Sequence, residues 1–141
     1  MPHNGDWTYS LIFPPDHEWT GLAATESYQR THKLLQDAFK EVGVETELAK
    51  NCRRPKPGEC FEGHELHDLL WNGGKIAGAA QRRNRHGLLI QGSVQPAEDW
   101  SHTDWRDFLS QGCSQLEDLP DTRAYELAEA KYSKAEFNRK R

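Results

Sequence analysis

The sequence predicts an α+β domain in which an antiparallel sheet is flanked by helices, and three observations predict it. Residues 7–13, WTYSLIF, alternate apolar and polar as a half-buried strand does. Residues 65–94 hold two turn signals, NGG and NRHG, between strand-like runs, which predicts a three-stranded meander. Beyond Pro96 the spacing becomes helical, so helices and strands are segregated along the chain.

The first strand puts Trp7, Tyr9, Leu11 and Phe13 on one face and Thr8, Ser10 and Ile12 on the other. Pro14 and Pro15 end it. A helix over about 25–42 follows, with Tyr28, Leu35, Ala38, Phe39 and Val42 near helical spacing and Gly43 as its C′ residue. VETEL, 44–48, alternates as a short strand. KNCRRPKPGEC, 50–60, is a loop, because its prolines and glycine deny regular structure. ELHDLLW, KIAGAAQRR and LLIQGSV are the strands of the meander. DWRDFLSQGC reads as a short helix, TRAYELAEAKYSKAEFNRKR as a longer closing one, and residues 1–141 as one domain.

Hydrophobic residues make up 35% and charged residues 28%. The mean hydropathy of -0.92 predicts a thin core, or one shared with another segment or chain. A net charge of -4 provides no basic field to recruit nucleic acid. The basic end KAEFNRKR reads as a solvated helix terminus. No apolar run is long enough to span a bilayer, and MPHNGDWTYS lacks the pattern of a secretory signal. Three cysteines argue against a disulfide framework and for a reducing, cytoplasmic setting.

The chemistry gathers between Cys60 and Arg83. Ala77, Gly78, Ala79 and Ala80 form a poor strand sequence by propensity, so something comes close to the backbone, either a packed helix or an extended ligand. Lys75, at the mouth of this run, is suited to hold the carbonyl or phosphate end of such a ligand. Cys60 stands at a loop edge with Arg53, Arg54, Lys56 and Lys75 as candidate cations and His64 and His67 as candidate bases. From composition alone it is more readily a small half-buried residue than a nucleophile. Cys52, Cys60, His64 and His67 are all zinc-ligand types, but their spacing is not that of a standard knuckle. DHEW and HTDW read as capping and surface residues, and Cys113 as packing.

The segment WNGGKIAGAAQRRNRHGLLIQGSV resembles the signature of the lipoate–protein ligase and octanoyltransferase family, whose catalytic domain is shared with biotin protein ligases. The family pattern is a turn, G-K-K/R-[IV]-[AS]-G-[AS]-A-Q-R-R, a second turn and L-L-H-Q-G-S. Ile90 departs from it, standing where the family often has His. PHNGDWTYSLIFP, TESYQRTHKLLQDAFKEVGV and the closing helix resemble the flanking family elements. The resemblance implies a partial biotin/lipoate protein ligase-like, class II synthetase-like domain, without the early strands and R-R-x-T-G-G-G turn that precede the first strand in the family.

Two activities follow from the resemblance. A transferase moves an octanoyl or lipoyl group from acyl carrier protein through a cysteine thioester. The acceptor is a lysine of a lipoyl-carrier protein, such as the glycine-cleavage H protein or a dehydrogenase E2 lipoyl domain. Cys60, in the pair Cys60-Phe61, falls at the nucleophile position of one transferase branch, and Lys75 matches the family lysine. This reading needs no cofactor. A ligase would use ATP and Mg and needs no cysteine there. A third expectation is an accessory subunit that works with a complementary N-terminal chain. The resemblance assigns Ala77, Gly78, Ala79, Gln81, Gly92 and Ser93, with His3 and Asp6, to substrate binding. No metal site, nucleic acid or membrane enters it.

Overall fold

The computed structural model describes residues 5–53, 63–97, 100, 105, 107, 109–111, 113 and 126. The chain divides into two compact units, Met1–Gln111 and Gly112–Arg141, and the described fold belongs to the first. Its elements are β1 (Trp7–Phe13), a 3-10 turn (Glu18–Gly21), α1 (Ala24–Glu41), β2 (Glu47–Leu48), β3 (Leu69–Trp71), β4 (Gly74–Asn84) and β5 (Gly87–Val94). The five strands form one antiparallel sheet in the order β1-β5-β4-β3-β2.

The meander closes as its turns require. Asn72 and Gly73 both have positive φ, 50° and 77°, the type I′ geometry that matches strand twist. Asn84 pairs with Gly87, so Arg85 and His86 form the second two-residue turn, braced by the Asn84 side chain accepting from the His86 N–H at 2.8 Å. Helix α1 ends in a Schellman motif: the Gly43 N–H donates to Lys40 at 3.0 Å and the Val44 N–H to Phe39 at 2.9 Å. The His17 ring accepts from the Trp19 N–H and caps the 3-10 turn, as DHEW suggested.

The sheet has two distinct faces. Trp7 and Tyr9 of β1, Ala77 of β4 and Val94 of β5 face a core closed by Leu35, Ala38 and Phe39 of α1 and by Trp105. Trp105 stacks on Trp7 and Phe39, both at 5.5 Å between ring centres. Farther along β4, Gln81 and Arg83 reach the same helix through polar bonds: Gln81 Nε2 donates to the Ala24 carbonyl at 2.6 Å and Arg83 to Ser27 Oγ at 2.6 Å. The opposite face carries Thr8, Ser10 and Ile12, all exposed.

The structure corrects three expectations. Of VETEL only Glu47 and Leu48 are strand. Of ELHDLLW only Leu69–Trp71 is strand. Residues 65–68 instead make a turn closed by the Asp68 N–H on the Glu65 carbonyl at 3.1 Å, with His67 at φ 71° in the type II position. The strand reading fails there because the buried Asp68 side chain caps the turn by accepting from the Glu65 N–H. Cys113 is exposed rather than packed.

Strand β4 carries a bulge: Leu69 pairs with Ala77 but Leu70 with Lys75, leaving Ile76 extra. Strand β3 stops after three residues, so β4 beyond Ala77 has no strand partner on that side among the described residues. A site forms in that notch.

Candidate functional site

The turn before β3 delivers Asp68 into the notch. Its carboxylate is fully buried, with 0% exposure, and three donors converge on it. Lys75 Nζ lies 2.7 Å from Oδ2, the Glu65 N–H donates to the same oxygen at 2.7 Å, and the Tyr28 hydroxyl donates to Oδ1. Tyr28 comes from α1, and its oxygen also accepts from the Ala79 N–H at 3.4 Å. That amide is available because β3 has already ended. Burial, then the hydrogen bond to Asp68, push the Tyr28 pKa upward, so the phenol stays protonated and donates.

Lys75 crosses β4 at Gly78. A Cβ there would sit 2.9 Å from Lys75 Cε and Nζ and 3.3 Å from Asp68 Oδ1, so the missing side chain leaves room for the ion pair. Gly92 plays the same part for Tyr9, whose ring occupies the space that a side chain at 92 would need. Burial, then the Asp68 charge, raise the Tyr9 pKa, and its buried hydroxyl meets no partner among the described residues.

An open cleft of about 690 Å³ lies over these small residues. Gly78, Ala80, Gln91 and Ser93 floor it beside Thr8 and Ser10, with Lys75, Glu65 and Tyr28 at its head. Among the described residues its walls are hydroxyls, amides, small apolar groups and the Glu65 carboxylate, and its one lysine is held at one end. Such a cleft suits an extended ligand with an apolar body and a polar head.

Behind the ion pair stands His32, one helical turn from Tyr28 and 0% exposed. Its ring meets Tyr28 edge-on at 4.3 Å, and neither nitrogen makes a hydrogen bond of good geometry among the described residues. Burial lowers its pKa to about 4, opposed by the Asp68 carboxylate.

The structure brings some of the sequence-derived site residues together and parts others. Lys75, Gly78, Ala79, Gly92 and Ser93 line the cleft. Ala77 is in the core, with 0% exposure, and Gln81 is turned to α1. Asp6 precedes β1 and is not among the cleft-lining residues. Cys60 and His3 lie outside the described residues. Ile90, the departure from the family pattern, has 0% exposure and faces the sheet interior opposite Leu11. Among the described residues no group of three or more His, Cys, Asp or Glu gathers to hold a metal, and His64 instead bonds Asn51 at 3.1 Å.

Sequence reasoning missed Asp68, Tyr28 as a donor, and His32. Two signals for them existed. Tyr28, Thr31 and His32 are polar-tipped residues on the apolar stripe of α1. Asp68 is an acid directly before two buried leucines.

The chain resembles known proteins in both sequence and shape. Residues 3–105 match the lipoyl protein ligase A/B catalytic domain. Octanoyltransferase LipM of Bacillus cereus is 33% identical over 100 residues, which cover 65% of this chain and 36% of that protein. The chain thus spans about a third of the length of the curated relatives it matches. A crystal structure of lipoate-protein ligase A bound with ATP superposes with a TM-score of 0.69 at 16% identity, covering 95% of this chain and 65% of that one. The bi-partite lipoate protein ligase from Thermoplasma acidophilum superposes with a TM-score of 0.63 at 19% identity, covering 96% and 64%. The five-stranded sheet and its helix have the fold of lipoate protein ligase catalytic domains. By its matched residues, the chain belongs to the lipoyl protein ligase A/B catalytic domain family.

Proposed function

We propose that the chain acts in protein lipoylation as an acyltransferase. The observation that carries the reading is Lys75, an ammonium fixed at the head of a cleft lined by Gly78, Ala79 and Gly92. The kinship with octanoyltransferases favours transfer over ligation.

In the first step a Cys60 thiolate attacks the carbonyl of an octanoyl or lipoyl thioester on acyl carrier protein. The new carbon–sulfur bond forms, the carrier thiolate leaves, and it takes up a proton. In the second step a lysine amine of a lipoyl-carrier protein attacks the Cys60 thioester. The amide forms, the amine gives up its proton, and the Cys60 thiol is restored. Lys75 orients the carbonyl and stabilises the oxyanion of each step, which in acyl transfer is worth a large share of the rate. The acceptor is a glycine-cleavage H protein or a dehydrogenase E2 lipoyl domain, in keeping with the E2 lipoyl domain named beside the T. acidophilum ligase.

The test is incubation of the full chain with octanoyl-carrier protein, read by intact mass. One octanoyl group should add to the chain, and Cys60→Ala should abolish it. An adduct that survives Cys60→Ala sinks the nucleophile assignment. Modification of the acceptor that requires ATP, Mg and free lipoate selects the ligase alternative.

A further inference from the structure

We propose that Asp68 and Tyr28 are positioning residues that hold the Lys75 ammonium at the head of the cleft. The inference rests on the reading of Lys75 as the group that meets the acyl carbonyl, and it names what aims that group.

A lysine on its own is a poor electrostatic clamp, because four rotatable bonds let its ammonium roam. Here two features limit that freedom. The Lys75 stem runs over Gly78 with no Cβ beneath it. Its Nζ is tied at 2.7 Å to Asp68 Oδ2. Asp68 in turn cannot swing. The Glu65 N–H holds Oδ2 and the Tyr28 hydroxyl holds Oδ1, so both carboxylate oxygens are fixed from two different elements. The Lys75 side chain keeps 18% exposure, against 0% for Asp68, so the pair is buried on the acid side and open on the ammonium side.

That asymmetry points to aiming rather than to folding. A buried ion pair gains little stability over a well-packed apolar pair. A pair serving the fold alone would have no reason to leave its cation facing a cleft. An ammonium has three protons, so it can bond more than one acceptor, Asp68 among them. The His32 ring, packed edge-on against Tyr28 at 4.3 Å, fixes the phenol from behind.

The test reads Lys75 directly. In the full chain labelled with 15N, the ammonium proton signal that Lys75→Gln removes identifies Lys75, and its exchange with water is measured. Asp68→Asn should speed that exchange by about tenfold or more, and Tyr28→Phe by about threefold, since the first removes a charged partner and the second a neutral donor. Backbone amide protection in β4 and β5 should stay unchanged, which a merely structural role would not allow. In parallel, both variants should slow octanoyl adduct formation at saturating donor while leaving the half-saturating donor concentration unchanged. Unaltered Lys75 exchange in either folded variant overturns the proposal, and Tyr28→Phe decides it if Asp68→Asn does not fold. Faster exchange in the variants of a chain that takes up no octanoyl group would defeat the transfer reading and leave the holding of Lys75 intact.

Discussion

Lys75 Nζ and Asp68 Oδ2 lie 2.7 Å apart across a two-residue type I′ hairpin, and the acid is sealed from solvent while the base is not. Removing the acid should therefore cost more than removing the base. Asp68→Ala strands the Tyr28 and Glu65 donors as well as Lys75 and should destabilise by about 3 kcal/mol. Lys75→Met, at a side chain that keeps 18% exposure, should cost about 1–2 kcal/mol. Urea unfolding of both single variants and the double variant checks this. The double should be milder than the sum, and strict additivity would show that the two groups do not interact.

The His32 ring gives the fold an acid-sensitive component. Its pKa in the folded chain is about 4, below the ordinary 6.5, so the unfolded chain binds its proton first as pH falls. The stability tied to neutral His32 is whole above about pH 6.5, declines between 6.5 and 4, and is gone below that. The total is on the order of 3 kcal/mol. His32→Phe keeps an edge-on ring and should flatten this part of the stability profile. Identical slopes for the two proteins between pH 6.5 and 4 would contradict it.

Two glycines on neighbouring strands should respond differently to one methyl group. At Gly78 the obstacle is the mobile end of Lys75, so Gly78→Ala should fold with a loss below about 1 kcal/mol and displace the ammonium. Octanoyl adduct formation should then fall by about tenfold to a hundredfold, as misplacement of a catalytic group does. At Gly92 the obstacle is the Tyr9 ring, so Gly92→Ala should cost about 2 kcal/mol in denaturant unfolding. Full transfer activity in the Gly78→Ala variant would argue that Lys75 is not aimed by this crossing.

His67 holds φ 71° at the turn that carries Asp68, a conformation that suits glycine better than a β-carbon. His67→Gly should raise the denaturant midpoint by an amount worth about 1 kcal/mol. A drop in the midpoint would mean that the imidazole contributes more than the strain it imposes.

The alternating and turn-bound parts of this fold were legible in the sequence because they obey local rules. Trp7 to Phe13 shows its two faces by period alone, Asn72-Gly73 names its turn, and Gly43 marks the end of α1. Lys75 and its small neighbours were read as the head and floor of a candidate site, and Lys75, Gly78, Ala79 and Ala80 do line one cleft. The rest of the site depends on long-range contacts. Tyr28 and Asp68 are 40 residues apart, and nothing in the spacing of either says that they meet. Residues 65–68 failed as a strand because one buried acid, Asp68, caps a turn there, and only Leu69–Trp71 pairs as predicted. Ala77 was grouped with Gly78 and Ala79 as a floor, but it is fully buried in the core against α1.

The bulge at Ile76 sets which way the chemistry faces. In an unbroken ladder Lys75 would share the side of Ala77 and Ala79 and be driven under α1, where an ammonium has no place. One surplus residue slips the pleat by half a period, and the lysine emerges with Gly78 and Ala80 instead. Straightening that bulge with Ile76 still in the strand would be a frameshift in space: the same lysine, in the same strand, addressed to the wrong side of the sheet.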